Sequence, residues 1–147
     1  MLVRVALLPN PLLASPETTV LEFCHNVLAS NQTTAAVIDS ESRWCGMISL
    51  THVFRKILPH YVDMDWKLAD VIHEGYFEEK FTELQHTPVA DLMERDTQTL
   101  KPDDSVIKAI TLLSTAAYKT LAVVEDGKFV GTITRRSVLR QVTQSAP

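Results

Sequence analysis

The chain repeats itself. The string PETTV at residues 16–20 stands over PDDSV at 102–106, eighty-six positions on: a proline, an acid, two polar residues and a valine. At the same offset AAVID (35–39) falls on LAVVE (121–125). One residue is then dropped, and at an offset of eighty-five GMIS (46–49) falls on GTIT (131–134) and VFRKI (53–57) on VLRQV (138–142). Agreement of residue class in that order, with a single gap, identifies two copies of one supersecondary unit. Such a unit buries its apolar face only by stacking on another. The fold is thereby constrained to two pseudo-symmetric α/β halves.

Each copy reads as helix, strand, strand, helix. In the second, Asp103, Asp104 or Ser105 is placed to cap a helix, on which Val106, Ala109, Ile110 and Leu113 share a face. Val20, Cys24, Val27 and Leu28 do the same in the first. The apolar run 121–125 suits a buried strand and residues 129–134 its return. Asp126 and Gly127 between them suit a type I′ turn, which needs positive φ at both central residues. A helix over 137–142 closes the copy. In the first copy strands at 35–39 and 45–49 are joined by a longer loop from Ser40 to Trp44. Thr87 as cap and Pro88 as first residue open a further helix through Met93; Val5 to Leu8 stands at the matching place before the first copy, with the connection two residues shorter. The division is a first repeat at 1–57, a connector at 58–86 and a second repeat at 87–147. Within the connector Phe77, Phe81 and Leu84 mark a helix over 76–84, broken by Gly75 from the segment 66–72.

With 46% hydrophobic and 22% charged residues, the chain is composed for a packed core and not for disorder. A net charge of −4 excludes a general nucleic-acid surface, which needs concentrated Lys and Arg. The apolar start is cut off by Pro9 and Pro11, too short for a membrane span and without the marks of a secretory leader. The expectation is a cytoplasmic protein with no membrane or nucleic-acid partner. Cys24 and Cys45 each sit in an apolar pattern and are expected as buried free thiols.

The order of proline, polar pair and valine, a helix, an apolar strand, Asp-Gly, and VGTIT leading into a helix resembles the cystathionine beta-synthase (CBS) domain. The tandem arrangement resembles a free-standing CBS pair, or Bateman module. The resemblance implies two repeats packed sheet to sheet, with two clefts between them that take an adenosine-containing ligand: AMP, ADP, ATP or S-adenosylmethionine. It also implies a homodimer that regulates another protein and needs no cofactor.

Carried over residue by residue, the resemblance makes Ser49 and Thr134 the hydroxyls that close the second strand of each copy. It puts His52 and Ser137 where the family has a ribose-binding aspartate, and Ala36 and Ala122 where it often has proline. The better cleft is expected from Thr132, Thr134, Arg135, Arg136 and Ser137, with Lys119, Thr120, Leu121 and Ala122 bordering the adenine; Ala35, Ser49 and His52 belong to the other. Alternation puts the Thr132 and Thr134 hydroxyls on the face opposite Ile133. Two guanidiniums beside a helix N-terminus suit a phosphate, because exposed N–H groups and the helix dipole add to them.

No catalytic set can be assembled. The histidines at 25, 52, 60, 73 and 86 are scattered, and His73 lacks the second histidine of a zinc-protease motif. His60, Asp63 and Asp65 read as a solvated loop, and no serine sits in a Gly-x-Ser-x-Gly elbow. Two functions compete: a regulatory ligand-sensing module, and a protein-interaction or dimerisation module whose clefts have lost their ligand.

Overall fold

Thr19 and Ser105 start the two copies in the same way. The Thr19 hydroxyl accepts the Glu22 N–H at 3.1 Å, capping α1 (Val20–Ser30). The Ser105 hydroxyl accepts the Ile107 N–H at 3.1 Å, capping α5 (Val106–Leu113). A short polar side chain there satisfies an N–H that has no partner within the helix. In the computed structural model, which describes residues 1–145, each copy then forms a three-stranded sheet. The first holds β1 (Leu13–Ala14), β2 (Thr34–Ile38) and β3 (Trp44–Ser49), followed by α2 (Leu50–Ile57). The second holds β4 (Thr99–Leu100), β5 (Thr120–Glu125) and β6 (Lys128–Thr134), followed by α6 (Arg135–Ser145). In both, the short leading strand runs parallel to the middle one and the hairpin is antiparallel. The two-residue leading strands were not among the expected elements, since two residues carry no periodicity.

Asp126 at φ 52° and Gly127 at φ 80° make the tight turn their sequence demands. In the first copy Asp39 does the equivalent work with its side chain. Its carboxylate accepts the Glu41 N–H at 2.8 Å and the Arg43 N–H at 2.9 Å. Those bonds, that from Arg43 foremost, hold its pKa below the usual carboxylate range. The two hairpin ends also meet: Trp44 N–H donates to the Gly127 carbonyl at 3.1 Å and Phe129 N–H to that of Ser42 at 2.8 Å.

The inner faces of the sheets pack through small residues, Ala36 and Ala122 with Met47, ringed by Trp44, Val124 and Phe129. Each outer face carries its own core. One is built on Phe23, Val37, Ile48 and Val53, the other on Leu100, Leu113, Leu121 and Ile133. Helical spacing placed Val20, Val27 and Leu28 on the buried face of α1; Val20 and Val27 are buried there, but Leu28 is 79% exposed, and Phe23 is buried beside them. Cys24 and Cys45 are free thiols as expected, though only partly buried; burial is the main cause that raises the pKa of each.

The segments that lead into the copies are exchanged. Residues 1–8 pack on the second copy: Val3 N–H donates to the Asp104 carbonyl at 2.8 Å, Leu8 N–H to that of Thr132 at 2.8 Å, and Val3 and Ala6 are buried in the second core. Residues 87–94 pack on the first, with Val89 N–H on the Thr18 carbonyl at 2.7 Å and Glu94 N–H on that of Met47 at 2.8 Å. These bonds match at the repeat offset, so Val3, not Val5, is the counterpart of Val89, and no residues are lost. The expected helix over 87–93 is one 3-10 turn, Val89–Asp91, with Pro88 outside it and no side-chain cap; the matching turn is Val3–Val5. The backbone of Thr87 and Pro88 is used to clamp the start of α1, since Val20 N–H donates to the Thr87 carbonyl at 2.9 Å.

In the connector, α3 (His60–Met64) and a 3-10 turn (Trp66–Val71) lead to Gly75, whose φ of 88° starts α4 (Tyr76–Leu84) at the expected bounds. Among the described residues no helix is long and apolar enough to cross a membrane.

Candidate functional site

Two clefts lie where the end of one copy's first helix meets the start of the other copy's last. The first, about 550 Å³, is lined by Ser30 to Thr34, by Lys119 and Thr120, and by Thr134, Arg135, Arg136 and Arg140. The second, about 540 Å³, is lined by Ala116 to Thr120, by Thr33 and Thr34, and by Ser49, Leu50, Thr51, His52 and Arg55. Most of the lining corresponds at the repeat offset, Ser30 to Thr34 with Ala116 to Thr120 and Thr134, Arg135, Arg136 and Arg140 with Ser49, Leu50, Thr51 and Arg55, but His52 has no counterpart in the first lining. Each cleft has the size of a small-molecule site.

Their charges differ. The first cleft is lined by Lys119, Arg135, Arg136 and Arg140 with no acid among the lining residues. The second has His52, Arg55 and Lys119 but also Glu94. Arg135 and Arg136 were expected in the loop before the last helix; they are the first residues of α6 itself, whose first turn holds no acid. A cation at a helix N-terminus opposes the dipole, at a cost of about 0.3–1 kcal/mol. An anion in the cleft removes that cost and gains the N–H groups as donors.

Arg135 does not serve the cleft with its charge. Its Nε donates to the Leu113 carbonyl at 2.6 Å, and its terminal nitrogen to those of Thr115 and Tyr118 at 3.2 and 3.3 Å. It ties the end of α5 to the start of α6. Arg136 and Arg140, one helical turn apart, are the guanidiniums that line the cleft without this duty. Arg140 has no sequence motif of its own; i, i+4 spacing from Arg136 was the signal that could have found it.

The positions equivalent to the family aspartate close helix caps. The Ser137 hydroxyl accepts the Thr134 N–H at 2.9 Å and donates to the Thr134 carbonyl at 3.0 Å, while Thr134 Oγ1 accepts the Ser137 N–H at 3.1 Å. Ser137 is 3% exposed and does not line the cleft. His52 Nδ1 accepts the Ser49 N–H at 2.9 Å, completing a capping box on α2. In the neutral ring the proton then sits on Nε2, which faces Glu94 Oε2 at 3.7 Å in the second cleft. The longer side chain reaches the cleft and the shorter one does not.

Of the other expected residues, Lys119 and Thr120 line both clefts and Thr134 the first. Ala35, Leu121 and Ala122 are at most 1% exposed and line neither; they are core, because the inner strands are covered on both faces. Thr132 is also displaced from the expected site. Alternation puts it opposite Ile133, as expected, but that face meets the other sheet, and its buried Oγ1 has no hydrogen-bond partner among the described residues. A buried hydroxyl without a partner costs about 1–3 kcal/mol. Thr132→Val is therefore expected to raise stability by about 1 kcal/mol; a lower urea midpoint would show that the hydroxyl is in use. Among the described residues no group of three or more His, Cys, Asp and Glu is placed to hold a metal ion.

Residues 89–143 match the model of the CBS domain. No curated protein matches the chain. Solved structures match along almost all of it. A hypothetical conserved protein from Geobacillus kaustophilus is 25% identical with a TM-score of 0.75, over 99% of this chain and 98% of that one. A CBS domain-containing protein of unknown function from Bacillus anthracis is 21% identical with a TM-score of 0.76, over 99% and 95%. CBSX2, solved in complex with AMP, is 24% identical with a TM-score of 0.73, over 99% of each chain. The family model reaches only the second copy, while the structural likeness spans both.

Proposed function

We propose, from the premise that this chain has the fold of a tandem CBS-domain pair and carries a CBS domain at residues 89–143, that it senses an adenosine-containing ligand and passes its occupancy to a partner protein. The observation that carries the reading is the first cleft: acid-free, with Arg136 and Arg140 in the opening turns of α6 and a helix N-terminus beside them. That is phosphate chemistry, and it makes AMP, ADP or ATP a better match than S-adenosylmethionine, whose sulfonium is cationic. The AMP held by CBSX2 supports an adenine nucleotide. The role is regulatory and not catalytic: the first cleft offers groups that hold an anion and no nucleophile with a base beside it, and in the second the His52 Nδ1 that lies 3.1 Å from the Ser49 hydroxyl is taken up by the Ser49 N–H in the cap of α2.

Titration calorimetry of the whole chain with AMP, ADP, ATP and S-adenosylmethionine tests this. Nucleotide heat that grows with phosphate number is the expected result. Ser137→Asp is expected to tighten every ribose-bearing ligand by about ten-fold or more, the worth of a charge-assisted hydrogen bond. His52 shows that a longer side chain at this position reaches its cleft, and an aspartate can still accept the Thr134 N–H. Silence from wild type and Ser137→Asp alike at millimolar ligand defeats the sensing reading and leaves a module that works through its surfaces alone.

A further inference from the structure

The exchange of the leading segments puts a different side chain into each cleft. Leu8 and Glu94 are counterparts at the repeat offset: the Leu8 N–H donates to the Thr132 carbonyl at 2.8 Å and the Glu94 N–H to that of Met47 at 2.8 Å. Leu8 lines the first cleft and Glu94 the second. The starts of the last helices differ in the same sense. Of the three arginines of α6 that line the first cleft, α2 keeps one: Arg140 has its counterpart in Arg55, while Arg135 and Arg136 stand over Leu50 and Thr51. The second cleft thus has fewer cations and one carboxylate more. That carboxylate is held ready. The Met47 N–H donates back to the Glu94 carbonyl at 2.9 Å, which fixes the main chain against β3. The side chain is 57% exposed, and its one charged or hydrogen-bonding partner among the described residues is His52 Nε2 at 3.7 Å. That distance is longer than a hydrogen bond, so the Glu94 oxygens stand at the cleft as acceptors.

Lys119 lines both clefts, and one ammonium serves one phosphate chain. His52 accepts the Ser49 N–H through Nδ1, and a ring nitrogen that accepts carries no proton, so the ring is neutral in that role. With Lys119 drawn to a phosphate in the first cleft, the second holds Arg55 against Glu94 and no net charge. A phosphate chain entering there meets one guanidinium and one carboxylate, and the attraction and the repulsion are of the same order. An uncharged ligand meets no such opposition. Its O–H and N–H groups donate to an ionised acceptor, the stronger class of hydrogen bond. Resting on the sensing reading above, we infer that the two clefts divide one class of ligand by charge. The first takes a nucleotide by its phosphates. The second takes a nucleoside without phosphate, and Glu94 is the specificity-determining residue that receives its donors and turns polyphosphates away. Both ligands are then held at once, one in each cleft.

Calorimetry of the full chain tests this, with ATP titrated first and adenosine then titrated into the ATP-saturated protein. One ATP per chain is expected, with adenosine heat that persists beside it. Glu94→Gln keeps the size of the side chain and both main-chain bonds to Met47. It should raise the ATP count to two per chain and weaken the adenosine about five-fold or more, the difference between a charge-assisted and a neutral hydrogen bond. Effects of opposite sign on the two ligands separate a selective role from a structural one, which would weaken both. Two ATP per chain in wild type overturns the inference, and so does adenosine that ATP displaces, or a Glu94→Gln variant in which the ATP count stays at one. One ATP bound with no adenosine beside it defeats the inference and leaves the sensing reading standing. Silence of the wild type toward both ligands defeats the sensing reading and this inference with it.

Discussion

Replacing Gly46 by alanine is expected to cost about 3 kcal/mol of folding stability, the upper part of the range for forcing an atom into a packed site. A β-carbon there would stand 2.6 Å from the Glu94 carbonyl oxygen and 3.3 Å from its carbon. That is main chain, and it is fixed: Met47 N–H donates to the Glu94 carbonyl at 2.9 Å and Glu94 N–H to that of Met47 at 2.8 Å. To make room, the exchanged segment must lift off the sheet and give up this pair of bonds, each worth about 1 kcal/mol. Gly131, the equivalent glycine, is the internal control. Its β-carbon would meet only the Leu7 side chain, at 3.1 Å, and a side-chain end can turn aside. Gly131→Ala is therefore expected to cost less than about 1 kcal/mol. Urea unfolding reads both, as a fall in midpoint without a change in slope. Equal losses at the two glycines would mean that the close approach of Glu94 is not what position 46 answers to.

Arg136→Ala combined with Arg140→Ala is expected to weaken ATP binding about 100-fold. The figure follows from two charge-assisted hydrogen bonds at about 1.5 kcal/mol each, the lower end of their range because the cleft is open to solvent. Adenosine, with no phosphate, should change less than about two-fold, since a lost charge acts on the charged part of the ligand. The ATP effect should shrink as salt rises. Arg135→Ala separates the site from its scaffold. It removes the ties to the Leu113, Thr115 and Tyr118 carbonyls, so it should lower the thermal midpoint of the unliganded protein. A double variant that binds ATP as wild type does would remove the first cleft as the phosphate site.

What could be read along the chain was what neighbours in sequence decide. Two copies, the order of their main helices and strands, the Asp126–Gly127 turn and the bounds of α4 all follow from local rules: an N-cap, a backbone that needs positive φ, an apolar period of two or of 3.6. Alternation even put Thr132 and Ile133 on opposite faces correctly. Alternation gives a side chain its face, however, and not what that face meets. Whether Thr132 opens on a cleft or lies between two sheets depends on where the second sheet sits. The same limit applies to Arg135, whose partners lie seventeen or more residues back at the end of α5. It applies to Ser137 too, whose hydroxyl is held in a helix cap and not offered to a ligand. The exchange of residues 1–8 and 87–94 lies furthest from sequence reading. Each segment precedes one copy and packs on the other, because the pseudo-symmetry of the repeat offers two equivalent docking sites and only the path of the chain in space selects between them. The glycines at 46 and 131 record that choice: each is small where the exchanged segment crosses its sheet.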